Sequence, residues 1–192
     1  MRKTLTTEAW AEAALTALAD GGVPAVAVEP IAAGLGATKG SFYHHFRTRD
    51  ELLGAALDLW ERQETEQVIL AVEQVDGARA RLTTLLRVAL DSTGERRTNA
   101  VELALQAHAG HPRVAPLLER VTRRRLHYLA SLFRELGFDA ADARRRALLA
   151  YTAYLGHAQV AHATPDMVPG PADLPDYTDA VVTALVSLGD AP

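Results

Sequence analysis

Cysteine is absent from all 192 residues, and with it go disulfide frameworks, thiolate catalysis and cysteine zinc sites. No run of about eighteen apolar residues occurs, so no membrane-spanning helix is expected. The opening Met1-Arg2-Lys3-Thr4 leads into no apolar block of the signal-peptide kind, and the expectation is a soluble, cytoplasmic protein with no membrane partner. Strand-like alternation is missing, as is the Gly-x-Ser-x-Gly elbow of a hydrolase. His108 and His111 stand three apart and His157 and His162 five apart. No Glu-x-x-His accompanies either pair, so no metal or other cofactor is expected, and no enzyme activity. A basic excess is lacking too. The net charge is −4, which lowers the non-specific affinity expected for nucleic acid without excluding a basic stripe on one face.

What the chain has is helix. With 48% of its residues hydrophobic it can bury a substantial core in one or two domains, and those residues recur at helical spacing. Residues 7–20 carry Trp10, Ala14, Leu15 and Leu18 on one stripe and end at Gly21-Gly22; residues 28–34 form a second helix. From Arg49, the positions Leu52, Leu53, Ala56, Leu57 and Trp60 predict one connecting helix reaching about Val75, stopped at Asp76-Gly77. Further helices are predicted over 78–92, 98–109, 112–136, 139–163 and, after a Pro-rich loop, 175–188. The fold class is all-α. Arg123-Arg124-Arg125 and Arg144-Arg145-Arg146 spread around their helices, so each run is expected to be a solvated face rather than one DNA-binding patch.

The stretch the rest serves is Leu35-Gly36-Ala37-Thr38-Lys39-Gly40-Ser41-Phe42-Tyr43-His44-His45-Phe46. Gly34 and Gly36 let one helix stop and another start at a steep angle. Thr38 is placed to cap a short helix that begins polar. Lys39 suits phosphate or a guanine edge, Thr38 and Ser41 can donate or accept at several bases, and Gly40 lets a backbone come close. Phe42 and Phe46, at i and i+4, anchor the helix inward, with Tyr43, His44 and His45 to either side within reach of phosphate. Thr48-Arg49-Asp50-Glu51 then reads as a capping box, whose free N–H groups together with Arg49 make a phosphate clamp.

Residues from about Thr7 to Leu57 resemble the N-terminal DNA-binding domain of the TetR family of bacterial transcriptional regulators. The likeness is carried by Ala17-Leu18 with Gly21-Gly22, by Ile31-Ala32 and Gly36, by residues 39–46, and by Arg49-Asp50-Glu51-Leu52-Leu53. It implies a three-helix reading domain over residues 1–48 and a helical ligand-binding and dimerisation domain over 49–192. It also implies that Thr38, Lys39, Ser41, Tyr43 and His44 line the DNA face, while Arg49 stands where a phosphate-contacting Lys is usual. The chain departs from the family at Ala25-Val26-Ala27-Val28-Glu29-Pro30, where the customary Ser or Thr cap before the second helix is missing. Leu18 replaces a common Phe.

Two sites are expected downstream. Trp60, His108, His111, Tyr128, Phe133, Tyr151, Tyr154 and His157 put rings and polar tips among apolar helices, the mixture that lines a small-molecule pocket for a largely apolar effector. Ala147, Leu148, Tyr151, Tyr154, Leu155 and Ala158, with Val181, Val182, Leu185 and Leu188, offer apolar stripes on the last two helices. In the resembled family such helices pair with their copies, and a two-fold dimer presents two readers to a pseudo-palindromic double-stranded operator. The function expected is a ligand-responsive regulator, a repressor released by its effector. The alternatives are an effector-independent architectural DNA-binding protein, which leaves the large second domain unexplained, and a helical metal-dependent enzyme.

Overall fold

Thr6 opens the first helix by accepting the Ala9 amide on its hydroxyl at 3.1 Å. In the computed structural model, which describes residues 5–91 and 96–187 and residues 96–98 by backbone alone, this helix is α1, Thr7–Ala25. Met1 to Thr4, Ser92 and Leu188 lie outside the described residues. As the glycine pair implied, α1 breaks at Gly21 and Gly22, with φ +69° at Gly22, before a last short piece containing Pro24. Trp10, Ala14 and Leu18 lose all solvent contact, as the stripe required. Then come α2 (Val28–Gly34), α3 (Lys39–Tyr43) and α4 (Arg49–Glu61), with α1 packed along α4.

The expected continuous helix from Arg49 to Val75 has a different interior. After α4 the chain makes one π-helical turn, Arg62–Glu66, then α5, Gln67–Val72. The buried positions show why: they run Leu53, Leu57 and Trp60, then Thr65, Ile69 and Val72. The step from Trp60 to Thr65 is one residue longer than an α-helical face allows, and a π turn absorbs that residue. Arg62 and Gln63, at its start, reach Glu8 and Glu12 of α1 at 3.2 and 2.8 Å.

The remaining helices are α6 (Ala78–Leu90), α7 (Arg96–Ala107), α8 (Val114–Glu135), α9 (Ala140–Ala163) and α10 (Leu174–Ser187), with a single 3-10 turn at Pro165–Met167. Asp139 caps α9 by accepting from Ala141 and Asp142 at 2.7 and 2.8 Å, which holds its carboxyl below the usual range. No strand occurs among the described residues. Contacts group the chain into two compact units, one of residues up to Glu64 together with Ala100–Arg120, the other of Thr65–Asn99 and the residues from Val121 on. The boundary expected after residue 48 falls inside the first of these. The first of the chain's three passages between the units falls within the π turn.

In the first unit Arg120 of α8 clasps the Glu61 carboxylate, its Nε and Nη2 lying 2.9 and 2.5 Å from the two oxygens. The core of the second gathers Ile69, Val72, Leu82, Leu86, Leu90, Leu132, Phe133 and the Ala143, Ala147, Ala150 stripe of α9. The arginine runs are not uniform solvated faces. Arg144 and Arg145 are exposed, but Arg146, in register with Ala143 and Ala150, is 4% exposed. Its guanidinium lies 3.9 Å from the centre of the Phe138 ring and donates to the Leu185 carbonyl near the end of α10. A ring face and the negative end of a helix thus take the place of an acid. In the other run Arg124 pairs with Glu66 at 3.2 Å and half-buried Arg125 donates to Thr65 Oγ1 at 3.0 Å.

Candidate nucleic-acid interface

The turn between α2 and α3 is a short sequence of backbone decisions. Leu35 and Gly36 donate back to Ile31 and Ala33, and Gly36, at φ +62°, takes the left-handed conformation that other residues adopt at a cost. The chain can then leave α2 and restart at Thr38, whose hydroxyl accepts the Ser41 amide at 3.1 Å. The missing cap of α2 is missing in the structure as well, since Ala27 occupies that position and offers no side-chain hydrogen bond.

The reader is held from behind by rings. Phe42 is fully buried, its ring edge-on to Trp10 at 5.6 Å and stacked on Phe46 at the same distance. This fixes which side of a five-residue helix faces outward. Thr38, Lys39, Tyr43 and His44 are exposed, Ser41 half-exposed; Tyr43 keeps 56% of its surface open and rests its ring edge on Phe42 at 5.1 Å. His45 turns back instead, with Nδ1 3.3 Å from the Thr7 hydroxyl. Gly40 is exposed, and a Cβ there would meet nothing closer than Thr38 Oγ1, at 3.6 Å. The fold itself therefore has no need of glycine at that position.

Two charged residues behave differently from expectation. Arg49 does not hold its guanidinium free beside the α4 N-terminus: Nε donates to the Val26 carbonyl at 2.6 Å and Nη2 to that of Val23, tying α4 to the end of α1. These carbonyls close the C-terminal end of α1, where Val23 keeps only the Val26 amide at 3.2 Å, and the planar five-donor guanidinium supplies the further donors. The cap of α4 forms through Thr48, which accepts from Glu51 at 3.1 Å, while Glu51 reaches back to the Arg47 amide at 2.7 Å rather than to Thr48. Lys39 is also engaged. Its Nζ lies 2.6 Å from Glu29 Oε1, and the pair lowers the carboxyl below its ordinary value and raises the ammonium above its own, in each case chiefly through this hydrogen bond. The pairing was not legible in the sequence because Glu29 lies ten residues upstream on another helix.

The residues expected to line one pocket are divided. Trp60, His108 and His111 belong to the first unit, and Tyr128, Phe133, Tyr151, Tyr154 and His157 to the second. Within the first, Trp60 is 1% exposed, His108 packs on Gly22 and donates from Nδ1 to the Ala104 carbonyl at 2.8 Å, and His111 Nδ1 accepts the Arg113 amide. These are packing and turn contacts. The second unit gathers a richer set: Tyr151 hydroxyl 3.2 Å from Thr122 Oγ1, Tyr154 beneath Arg125, and His157 stacked on Tyr177 at 5.6 Å. Burial pushes the His157 imidazole below its ordinary value, partly opposed by its bond to the Leu90 carbonyl, and Nε2 is buried without a hydrogen-bond partner. Burial, with the Glu73 carboxylate nearby, pushes the Tyr128 hydroxyl well above the usual phenol. Among the described residues no group of three His, Cys, Asp or Glu could hold a metal ion.

Of the residues expected at a dimer face, Leu148 is exposed, Leu155 and Val181 are half-buried, and Ala158, Val182 and Leu185 are already buried by their own unit, at 0%, 1% and 5% exposed. Leu149, Ala153, Gly156 and Val160 form the open line on α9, with Ala180, Thr183 and Ala184 open on α10. Among the described residues no helix is long and apolar enough to cross a membrane.

Residues 11–56 match the family model described as bacterial regulatory proteins, tetR family. The whole chain is similar in fold to solved structures. One is a transcriptional regulator from Rhodococcus sp. Rha1, at 23% identity and TM-score 0.81, covering 98% of this chain and 100% of that one. Another is the regulator FadR from Bacillus subtilis in complex with stearoyl-CoA, at 17% identity and TM-score 0.76, covering 95% and 98%. A third is AibR in complex with isovaleryl coenzyme A and operator DNA, at 21% identity and TM-score 0.67, covering 93% and 96%. None of the curated proteins compared matches the chain.

Proposed function

We propose, from the match of residues 11–56 to the model of the tetR family of bacterial regulatory proteins, that the chain is a homodimeric repressor of this family that leaves a pseudo-palindromic operator when a small, largely apolar effector binds. The observation that carries the reading is the outward row Thr38, Lys39, Ser41, Tyr43 and His44, set on a helix whose other side is locked by Phe42, Phe46 and Trp10. Polar groups on a rigid short helix suit a major groove, where position comes from phosphate and sequence from base edges. Arg49 serves this site from behind by fixing α4 to α1. In the division of labour we propose, residues 1–48 read DNA and residues 49–192 bind the effector and pair.

The dimer would form through α9 and α10, along Leu148, Leu149, Ala153, Gly156 and Val160 with the open small residues of α10. Two readers so joined meet half-sites roughly 34 to 36 Å apart or a multiple of that. For the effector, the second unit offers the aromatic and polar set Tyr128, Tyr151, Tyr154 and His157, with Tyr177 and Arg125 added to it. The solved relatives that hold stearoyl-CoA or isovaleryl coenzyme A make an acyl thioester the first compound to try. An effector acts only through its difference in affinity between the DNA-bound and released conformations.

The test is fluorescence anisotropy with the duplex upstream of the protein's own coding region, against random competitor DNA. Tight, competitor-resistant binding that an effector abolishes is the expected result. Equal affinity of the effector for free and DNA-bound protein would remove the release mechanism, and failure to select any sequence from a random duplex pool would remove the regulator itself.

A further inference from the structure

A carboxylate is an unwelcome group on a surface that meets phosphates, yet Glu29 stands on the first turn of α2 with its side chain 65% exposed, and its Oε1 sits 2.6 Å from Lys39 Nζ. Nothing buried depends on the pair, since the lysine side chain is 57% exposed too. Favouring the positive end of α2 is a role any acid in that turn could fill without reaching another helix. What Glu29 does beyond that is direct Lys39. Lysine is a point charge on a four-carbon stem, content with a phosphate in almost any direction. A partner at hydrogen-bond distance takes away most of those directions.

Resting on the DNA-regulator reading above, we propose that Glu29 is a specificity-determining residue: it holds the Lys39 ammonium away from the phosphates and presents it to a base edge, the O6 and N7 acceptors of a guanine in the major groove. Phosphate contacts add affinity for every sequence equally, whereas an ammonium confined to base edges adds affinity only where those acceptors occur. The pair therefore lowers binding to random DNA more than binding to the operator, and its net charge of zero mutes the counterion release that a free lysine would bring.

The experiment selects preferred duplexes from a random pool and measures anisotropy from about 50 to 200 mM salt, for the full chain and for Glu29→Gln, Lys39→Gln and the double variant. Glu29→Gln is expected to tighten binding to random DNA and to steepen its salt dependence by about 0.9 per reader, which is roughly 3.5-fold more affinity lost across that range. It is also expected to flatten the preference for guanine at one position of each half-site. In the Lys39→Gln background, Glu29→Gln is expected to bring neither change of slope nor change of preference. Glu29→Asp keeps the charge on α2 but shortens its reach by one methylene. It is expected to flatten the guanine preference at unchanged net charge, and it serves if the Gln variant melts early. The same response to Glu29→Gln whether Lys39 is present or replaced, or a guanine preference intact in the Asp variant, overturns the assignment while leaving the regulator reading standing. A wild-type chain that selects no sequence overturns both.

Discussion

Gly40 offers the sharpest separation between what the fold needs and what the DNA needs. It lies in the first turn of α3 at an ordinary helical φ, and a Cβ built on it would meet only Thr38 Oγ1, at the van der Waals distance of 3.6 Å. Alanine in a helix is worth up to about 1 kcal/mol over glycine, and roughly half of that in a terminal turn. For a chain of this size each kcal/mol moves the melting temperature by about 2 to 4 °C, so Gly40→Ala is expected to melt about 1 to 2 °C higher. In the groove the balance reverses. If the α3 backbone approaches DNA as closely as an exposed glycine permits, the added methyl overpacks the interface by about 1 to 3 kcal/mol, a loss of roughly 5- to 150-fold in operator affinity. The assay is a thermal melt beside an anisotropy titration on one preparation. A variant that melts lower would mean the fold itself requires this glycine. One that melts higher but binds its operator unchanged would refute the close approach.

Gly22 is the opposite case: its φ of +69° and a Cβ position 2.5 Å from His108 Cε1 make Gly22→Ala costly twice over, by roughly 2 to 5 kcal/mol in total, read as a fall in melting temperature of the order of 10 °C. His108→Ala should relieve the steric part of that cost but not the conformational part; full rescue would disprove the strain at Gly22. His157 sits below its ordinary value near 6.5 because burial disfavours its charged form. The unfolded chain therefore binds the proton first, and stability is expected to fall as pH drops below about 6.5, until the folded value is reached. The melting temperature measured from pH 7.5 to 5.5 should lose part of its slope in His157→Gln; parallel slopes would refute the assignment. Leu149→Arg and Val160→Glu place charge on the open line of α9, at residues 48% and 42% exposed, and are expected to yield folded monomers with weakened operator binding. A dimer of unchanged stability by sedimentation would move the interface elsewhere.

The reading head was legible because its determinants are local. The Gly36 turn, the Thr38 cap, the Phe42 and Phe46 anchor and the Thr48 cap each act within a few residues of sequence, and the structure forms all of them. What was illegible depends on groups brought together from afar. Arg49 answers carbonyls of α1 more than twenty residues upstream, and Glu29 meets Lys39 across the turn. The π turn left a trace that periodicity could have caught: after Trp60 no apolar residue stands at 63 or 64, where an unbroken α-helical face would want one, and the stripe resumes at Val68 and Ile69.

The second unit was harder for the same reason carried further. An apolar stripe on α9 announces that a helix has a face to bury, but not against what, and here the unit's own core takes Ala143, Ala147, Ala150 and Ala158 on one side while Leu149 and Val160 are left on the other. The sequence carries both stripes on the same twenty-four residues, and only the packing of α6 and α10 against the helix decides which is interior. Arg146 makes the point most clearly. As one of three consecutive arginines it reads as solvated surface, yet it is buried, because Phe138 offers a ring face and α10 presents the Leu185 carbonyl at that one angular position. A charge buried without an acid beside it depends on that geometry, so removing the Phe138 ring or shifting the end of α10 would leave the Arg146 guanidinium buried and uncompensated.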